Sequence, residues 1–217
     1  MVRIVCIIIG YVFGLFQTAY IYGRCKGIDI RTVGSGNAGT TNTLRVLGTK
    51  AGLIVLAGDI LKTMAAILVV RLLFMERYPD MIYLLILYTA AGAILGHNYP
   101  FYLNFKGGKG IASTAGLILS FHPYFIITGV VLFFGTFFTT HFVSLGSLLV
   151  YAGFMIQLVY CGQTGFFGNM SQGLLYEMYA VGAFLTVMAY WRHRENIKKL
   201  LHGTERKTYL MKRKEDK

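Results

Sequence analysis

The feature that most constrains this chain is a run of 67 residues, from 110 to 176, without any Asp, Glu, Lys or Arg. A helix rises about 1.5 Å per residue, so about 20 apolar residues cross the ~30 Å hydrocarbon layer of a membrane. The run alone is therefore long enough for about three crossings. Only 14% of the whole chain is charged, against roughly a quarter in soluble domains. We predict an all-α integral membrane protein.

Polar and turn-forming residues divide the apolar chain into about seven predicted transmembrane helices, some of them short. The predicted helices span residues 4–22, 51–70, 81–96, 111–121, 124–139, 142–161 and 174–191. Segment 111–121 is too short to span a membrane unaided, so a re-entrant or half-buried helix is the alternative there.

The 21 lysines and arginines are distributed unevenly over the loops of such a bundle. Seventeen fall on one side, only Arg3, Arg71 and Arg77 fall on the other, and Lys62 lies within a predicted helix. Loops rich in Lys and Arg face the cytoplasm. This predicts an external N-terminus and a cytoplasmic C-terminus, provided that the number of crossings is odd. Topology thus accounts for the net charge of +12, and we expect no nucleic-acid partner.

A single membrane domain is predicted over residues 1–217, with a helical bundle over 1–191 and a basic cytoplasmic segment over 192–217. The three cysteines, Cys6, Cys25 and Cys161, are far apart in the sequence. They form no ligand spacing with histidines, so we predict neither a disulfide framework nor a metal site. No cofactor is expected.

Two opposite charges, Asp59 and Lys62, lie inside the second predicted helix. Their spacing of three residues allows them to pair on one face of the helix. Isolated charges at mid-bilayer are costly, so both should face the interior of the bundle. Their role is either a salt bridge that fixes helix packing or a support for a neighbouring polar site.

Three segments dense in glycine and polar side chains all fall on the predicted cytoplasmic side. The first is Gly-Ser-Gly-Asn-Ala-Gly-Thr-Thr-Asn at 34–42, followed by Arg45. Its glycines permit positive φ and expose N–H groups, and Ser35 and Asn37 offer neutral hydrogen-bond partners. Arg45 adds a forked donor suited to phosphate. The combination predicts an oxyanion site, and a polar loop that only caps the next helix is the alternative.

The second segment is Gly-His-Asn-Tyr-Pro at 96–100, followed by Phe-Lys-Gly-Gly-Lys-Gly at 105–110. A glycine-rich turn with two lysines leads directly into a predicted helix, which places N–H groups, a helix dipole and cations at one point. This predicts a phosphate cradle. It is not a Walker A sequence, because Gly110 rather than Ser or Thr follows Lys109. Anchoring of the lysines to lipid phosphates is the alternative.

The third segment covers residues 192–205. If it is helical, His193 and Asn196 share a face with Ile197 and Leu200, which directs both polar side chains toward the bundle. Gly203 is the predicted stop signal. A basic amphipathic tail lying on anionic lipid is the alternative.

Together the three segments resemble the acyl-phosphate:glycerol-3-phosphate acyltransferase family, whose members carry GSGNxGxTN, GHxxP with FKGGKG, and RHxxNI with LLxGtE. This chain has GSGNAGTTN, GHNYP with FKGGKG, and RHRENIKKLLHGTE, in the same order and over nearly its whole length. Two positions depart from the family pattern. Thr63 follows Lys62 where glycine is frequent, and His141 stands where a basic residue is frequent.

The resemblance implies transfer of a fatty acyl group from acyl phosphate to the sn-1 hydroxyl of glycerol 3-phosphate. The products are lysophosphatidic acid and inorganic phosphate, and the reaction begins phospholipid synthesis. It implies a multi-pass protein of the bacterial inner membrane with its active site on the cytoplasmic face. Membrane lipids surround such a protein, and the enzyme that makes acyl phosphate is a candidate partner.

The residues that we assign to catalysis are Ser35, His193 and Asn196. Those that we assign to substrate binding are Asn37, Arg45, Lys106, Gly107, Gly108, Lys109, Gly110 and Ser144. His193 is the one well-placed general base, and the phosphate of the donor is the alternative proton acceptor, which we favour. A His-x-x-x-x-Asp pair is excluded, because no histidine has Asp five positions later.

Two other functions compete with the acyltransferase hypothesis. A transporter for an organophosphate anion would also use cytoplasmic cations and buried polar groups, but the polar density lies on one side and no internal repeat is evident. A scaffold that binds anionic lipid would not require the uncharged GSGN and GHNYP strings.

Overall fold

The structure, a computed structural model, describes residues 1–209 of the 217-residue chain. Those residues form ten α-helices and no β-strand, which confirms the all-α prediction. The helices are α1 Val2–Gly14, α2 Thr18–Cys25, α3 Thr40–Leu47, α4 Thr49–Phe74, α5 Ile82–Asn98, α6 Ile111–Phe121, α7 Pro123–Thr140, α8 Val143–Gln163, α9 Gln172–Arg192 and α10 Arg194–Leu201. Residues 210–217 of the predicted basic segment lie outside the described residues.

Six helical spans within residues 1–209 are long and apolar enough to cross a membrane, so the chain is a multi-pass membrane protein. They are Val2–Cys25, Thr49–Phe74, Pro79–Leu103, Pro123–Thr140, Val143–Gln163 and Gln172–Arg192. The seventh predicted segment forms α6, a shorter apolar helix of 11 residues. Seven crossings and the orientation of the two ends remain predictions.

The first predicted helix, 4–22, is not continuous: it divides into α1 and α2 at residues 15–17. Gln17 stands at the break and is fully buried. Its side-chain amide donates to the carbonyl oxygens of Gly14 at 3.1 Å, Gly96 at 3.1 Å and His97 at 3.2 Å. A break at membrane depth is tolerated when protein groups satisfy the freed backbone. Here the Gln17 side chain binds the freed carbonyl oxygen of Gly14, and its bonds to Gly96 and His97 connect the break to the end of α5.

Helix α3 was not predicted, because it is only eight residues long, five of them are polar, and it begins inside the first polar segment. Gly39 precedes it with an extended backbone, and Gly48, at φ 87°, separates it from α4. A Cβ at Gly52 of α4 would lie 2.7 Å from Cβ of Leu44, so the two helices pack closely. The first polar segment is thereby fixed against α4.

Helix α5 lies at the centre of the bundle, with most of its residues buried. Its contact with α1 depends on small residues. A Cβ at Gly92 would collide with the Ile7 carbonyl group, and a Cβ at Gly10 would collide with the Thr89 carbonyl group. Small residues at such contacts let helix backbones approach closely in membranes, where hydrophobic burial adds little to helix association.

The predicted pair of charges on α4 is confirmed. Lys62 Nζ lies 2.8 Å from Asp59 Oδ1, and the two side chains are 4% and 1% exposed. Both face the bundle interior. The ammonium also donates to the carbonyl oxygen of Phe16 at 2.8 Å, which is another carbonyl freed by the break between α1 and α2.

Replacing Gly92 by Val should lower the free energy of unfolding by about 3 kcal/mol, because the added side chain meets the α1 backbone, which has no room to move aside. Gly135→Val on α7 is the matched control, because a Cβ there has nothing within 4 Å. Thermal unfolding in detergent measures both. Equal melting temperatures for the two variants would contradict the packing described.

Candidate active site

The first polar segment is a loop organised by the buried side chain of Asn42. Its Oδ1 accepts from Ser35 N at 2.8 Å, and its Nδ2 donates to the Ile30 and Val33 carbonyl oxygens at 3.0 Å each. Gly34, at φ 65°, lies so close to Asn42 Oδ1 that a Cβ would collide with it. Asn42 was predicted only as one of several neutral hydrogen-bond partners and not as a site residue, yet its amide shapes the loop that presents Ser35.

The second segment folds back on the end of α5. Gly107 N donates to Asn98 O and Gly108 N to His97 O, both at 3.1 Å. Arg192 Nη2 binds the carbonyl oxygens on the same two glycines, at 3.2 Å for Gly107 and 2.6 Å for Gly108. The amide N–H groups of Gly107 and Gly108 are therefore already used, so they do not form the predicted cradle directly.

The N–H groups that remain available belong to the start of α6. Gly110 precedes this helix at φ 81°, and the first intrahelical bond runs from Thr114 N to Gly110 O at 2.8 Å. A helix leaves the N–H groups of its first turn without intrahelical acceptors, and its dipole favours anions there. Gly110, Ile111 and Ala112 all line one cavity. The N–H groups that could serve the predicted cradle are therefore those at the N-terminus of α6 and not those of Gly107 and Gly108.

His193 stands between α9 and α10 and is 3% exposed. Its Nδ1–H donates to the Ala189 carbonyl oxygen at 2.8 Å, and because a carbonyl only accepts, Nδ1 carries the proton. The Nε2 atom therefore has a free lone pair. Burial lowers the pKa of His193 to about 4, and the nearby cations Lys109 and Arg192 act in the same direction. The imidazole is neutral at physiological pH.

Helix α10 has the predicted face: Asn196, Ile197 and Leu200 are less exposed than their neighbours, and the helix ends before Gly203. Asn196 connects two charged residues. Its Oδ1 accepts from Lys109 Nζ, and its Nδ2 donates to Glu205 Oε1 at 2.8 Å. The same Glu205 oxygen accepts from Ser144 Oγ at 3.0 Å. These hydrogen bonds connect the second polar segment, through Lys109, to the third segment and to Ser144 of α8.

Residues 204–209 follow α10 and pass beside Arg45. Arg45 Nη2 donates to Thr208 Oγ1 at 2.6 Å and to Arg206 O at 3.2 Å. Thr208 N in turn donates to the His141 carbonyl oxygen at 2.9 Å. The C-terminal segment therefore positions Arg45, an arrangement that the sequence alone did not indicate.

These elements surround a cavity of about 260 Å³ whose lining is partly polar and partly apolar. Its polar lining comprises Ser35, Asn37, Thr40, Thr41, Asn42, Arg45, Asp59, His97, Lys109, Ser144, Ser147, His193, Asn196, Glu205, Arg206 and Thr208. Its apolar lining includes Leu44, Leu53, Leu56, Phe133, Phe134, Phe137 and Val143. A cavity of this kind can hold a charged head group and an apolar chain together.

The structure brings most of the predicted site residues to this one cavity. Those that line it are Ser35, Asn37, Arg45, Lys109, Gly110, Ser144, His193 and Asn196. Gly107 and Gly108 are buried behind it, where a Cβ at Gly108 would collide with the His97 ring. Lys106 is exposed and lies outside the lining. Asp59, His97 and Glu205 line the cavity without having been assigned to it.

The fold and this cavity define an integral membrane protein with a polar cavity that contains cationic side chains, formed where polar loops meet the end of a helical bundle. The glycerol-3-phosphate acyltransferase family model matches residues 4–203. The chain belongs to the glycerol-3-phosphate acyltransferase family.

Individual relatives agree with this assignment. The glycerol-3-phosphate acyltransferase of Bacillus subtilis (strain 168) is 38% identical over 204 residues, which cover 93% of this chain and 95% of the relative. The one from Clostridioides difficile (strain 630) is 38% identical over 206 residues, with 94% of each chain covered. The crystal structure of PlsY, an integral membrane glycerol 3-phosphate acyltransferase, in its glycerol 3-phosphate form has a TM-score of 0.76 at 29% identity, covering 95% of this chain and 96% of that chain.

Replacing Arg192 by Lys should lower kcat/KM about tenfold, because the shorter lysine side chain does not reach the position of the Nη2 atom that donates to both carbonyl oxygens, and the glycine turn loses its anchor. Arg194→Lys is the control, since Arg194 is exposed and contacts the Trp191 ring and backbone away from the cavity. Steady-state acyl transfer measures both variants. An equal effect of the two substitutions would contradict this role of Arg192.

The pH dependence should show an alkaline limb that belongs to Lys109. Partial burial lowers the pKa of this ammonium to about 8, so its positive charge is present below that pH and is lost as the pH rises through it. For the free enzyme, kcat/KM should therefore fall above about pH 8. Lys109→Arg should move the limb upward, since guanidinium stays charged. Lys106→Arg, on an exposed residue, should leave it in place, and an unmoved limb in Lys109→Arg would contradict the assignment.

Proposed function

We propose that this chain transfers a fatty acyl group from an acyl phosphate to the sn-1 hydroxyl of glycerol 3-phosphate, which releases inorganic phosphate and forms lysophosphatidic acid. The observation that carries the proposal is a single cavity in which cationic, hydroxyl and amide groups adjoin an apolar wall. Both substrates carry a phosphate group, and one of them carries an alkyl chain. Membership of the glycerol-3-phosphate acyltransferase family supports the same reaction.

The phosphate groups are assigned to the basic end of the cavity. Arg45 supplies a forked donor, Lys109 an ammonium, and the first turn of α6 free N–H groups with a favourable dipole. Ser35 and Asn37 add neutral hydrogen-bond partners from the first loop. Such preorganised donors stabilise negative charge better than water does, because they need no reorganisation during the reaction.

The acyl chain is assigned to the apolar end. Leu53 of α4 and Phe134 of α7 line the cavity and are also 54% and 44% exposed on the outer surface of the bundle. A position that belongs both to the cavity and to the lipid-facing surface favours sideways entry of a chain from the bilayer. The proposal therefore includes direct access from the membrane for the donor and direct release of the product into it.

The chemistry requires little from the protein beyond positioning. The glycerol hydroxyl oxygen forms a bond to the acyl carbon, and the bond between that carbon and the phosphate oxygen breaks. The hydroxyl proton passes to the departing phosphate in the route that we favour. An acyl phosphate is a reactive mixed anhydride, so orientation and charge stabilisation supply much of the rate.

His193 is the alternative proton acceptor. Its Nε2 lone pair is free because Nδ1–H is bound to Ala189, so the geometry permits the role. A general base works best when its pKa lies near the working pH, and burial lowers the pKa of His193 to about 4. We therefore assign His193, with Asn196, to substrate orientation.

The site is proposed to face the cytoplasm in the inner membrane of a bacterium. Seventeen of 21 lysines and arginines fall on the side of the chain that carries the three polar segments. The proposal includes a single domain over 1–217, an external N-terminus and seven crossings, with α6 as the shortest. An enzyme that makes acyl phosphate is the proposed partner, since that donor is a reactive mixed anhydride with a long apolar chain.

A direct assay tests the reaction. Purified protein is mixed with palmitoyl phosphate and glycerol 3-phosphate, and inorganic phosphate is measured over time. Release is expected with both substrates and not with either one alone. Absence of release with both substrates, from folded protein, would refute the proposal.

Replacing His193 by Gln distinguishes the two proton acceptors. If phosphate takes the proton, turnover should fall about tenfold or less, and the dependence on pH between 6 and 8 should not change, because the pKa of about 4 lies below that range. A loss of a hundredfold or more would instead identify His193 as the base. His202→Gln is the control: His202 makes the same contact with the backbone four residues earlier, at 2.7 Å, but is exposed.

A further inference from the structure

A chain of buried hydrogen bonds lies behind the start of α6 and takes no part in lining the cavity. The hydroxyl of Tyr151, on α8, bonds to Thr114 Oγ1, and Thr114 Oγ1 donates to the Gly110 carbonyl oxygen at 2.8 Å. The Tyr151 and Thr114 residues are only 2% and 3% exposed, and neither lines the cavity. Two hydroxyl groups therefore reach the residue before α6 from the interior of the bundle.

The direction of this chain follows from the protons that it contains. A threonine hydroxyl has one proton, and here it goes to the Gly110 carbonyl, because a carbonyl only accepts. The Tyr151 hydroxyl must then donate to Thr114 Oγ1. The Gly110 oxygen also accepts from Thr114 N at 2.8 Å. This oxygen thus accepts two hydrogen bonds, and Tyr151 strengthens one of them by polarising the Thr114 hydroxyl.

The Gly110 carbonyl belongs to the same peptide unit as the N–H group of Ile111. A hydrogen bond to the oxygen of a peptide unit draws electron density from its nitrogen, so the N–H becomes a stronger donor. Ile111 is the first residue of α6, and its N–H therefore has no acceptor within the helix. Gly110 and Ile111 both line the cavity. The buried chain ends on an N–H group of the turn that is assigned to phosphate.

The same chain fixes the orientation of this peptide unit. Gly110 has φ 81°, a conformation that glycine adopts freely, so the residue itself holds the start of α6 only weakly. Tyr151 belongs to the main apolar core of the bundle, together with Leu117 of α6 and Phe154 of α8. Because core packing holds the ring, the Tyr151 hydroxyl supplies a fixed point from which the start of α6 is oriented.

We propose that Tyr151 is a positioning residue for the phosphate site and acts through Thr114 on the peptide unit between Gly110 and Ile111. It orients that unit and strengthens the Ile111 N–H as a donor to a phosphate oxygen. The Tyr151 hydroxyl itself touches no substrate. The inference rests on the proposed function and adds to it a residue from the interior of α8.

Inorganic phosphate is the probe, because it is a product of the proposed reaction and should compete for the same site. The full chain is assayed with palmitoyl phosphate and glycerol 3-phosphate at rising phosphate concentrations, and the formation of lysophosphatidic acid gives an inhibition constant. Tyr151→Phe removes the hydroxyl and keeps the ring. It should raise the inhibition constant about threefold, since each of the two bonds in the chain contributes a cooperative strengthening of about 10–30%.

Tyr88→Phe is the matched control for a loss of stability. The Tyr88 hydroxyl, on α5, donates to Glu177 Oε1 at 2.7 Å, and Tyr88 lies outside the cavity lining. Both variants lose a hydrogen bond and should melt at lower temperature, but only Tyr151→Phe should change the inhibition constant. A purely structural role of Tyr151 would lower the active fraction, and with it the apparent kcat, while the inhibition constant stayed the same.

Substitutions of Thr114 test whether Tyr151 acts through it, and they keep the inference testable if Tyr151→Phe does not fold. Thr114→Ser keeps the hydroxyl and should leave the inhibition constant within about twofold of wild type, whereas Thr114→Val should raise it about threefold or more. Tyr151→Phe should add nothing to Thr114→Val in the double variant, because groups that act in series are not additive.

An unchanged inhibition constant in Tyr151→Phe and Thr114→Val would overturn the inference, and so would additive effects in the double variant. Wild-type protein that turns over without inhibition by phosphate would overturn it as well, and would leave the proposed function intact. Wild-type protein that forms no lysophosphatidic acid would refute the proposed function and this inference with it.

Discussion

A polar group within a bilayer needs a partner inside the protein, and this requirement governs the arrangement where the end of α5 meets the break after α1 and the middle of α4. The break after α1 frees backbone carbonyl oxygens, and Gln17 and Lys62 bind them. Lys62 also binds Asp59 and His97. The same few side chains thus stabilise an interrupted span and fix one wall of the cavity. Fold and site depend on one buried polar network.

Within the described residues, some polar groups that line the cavity have no hydrogen-bond partner. The first turn of α6 has free N–H groups, and Asp59 Oδ2 has no partner within the described residues. Around them, Asn196 joins Lys109 to Glu205, and Arg192 fixes the glycine turn. Groups that are rigid but unsatisfied are suited to a substrate, because binding completes bonds that folding leaves open.

The sequence predicted the helical class and the polar segments, and most of the site residues assigned from it line the cavity, because these features follow from apolar runs and from local residue chemistry. It did not predict the break at 15–17, since a break is stable only through distant acceptors on α5. The glycines at 107 and 108 were assigned to phosphate from composition, but their N–H groups bind the end of α5 instead. Glu205 had no assigned role, because its partners Ser144 and Asn196 come together only in the fold.

The central claim is that a glycerol hydroxyl attacks an acyl carbon while both phosphate groups are held in one cavity. Glycerol 3-phosphate labelled with ¹⁸O at the C1 hydroxyl, incubated with palmitoyl phosphate and the purified chain, tests it by mass spectrometry of the products. The account predicts lysophosphatidic acid that keeps the label in its ester and inorganic phosphate without label. Unlabelled lysophosphatidic acid, or free fatty acid with a doubly phosphorylated glycerol, would contradict it.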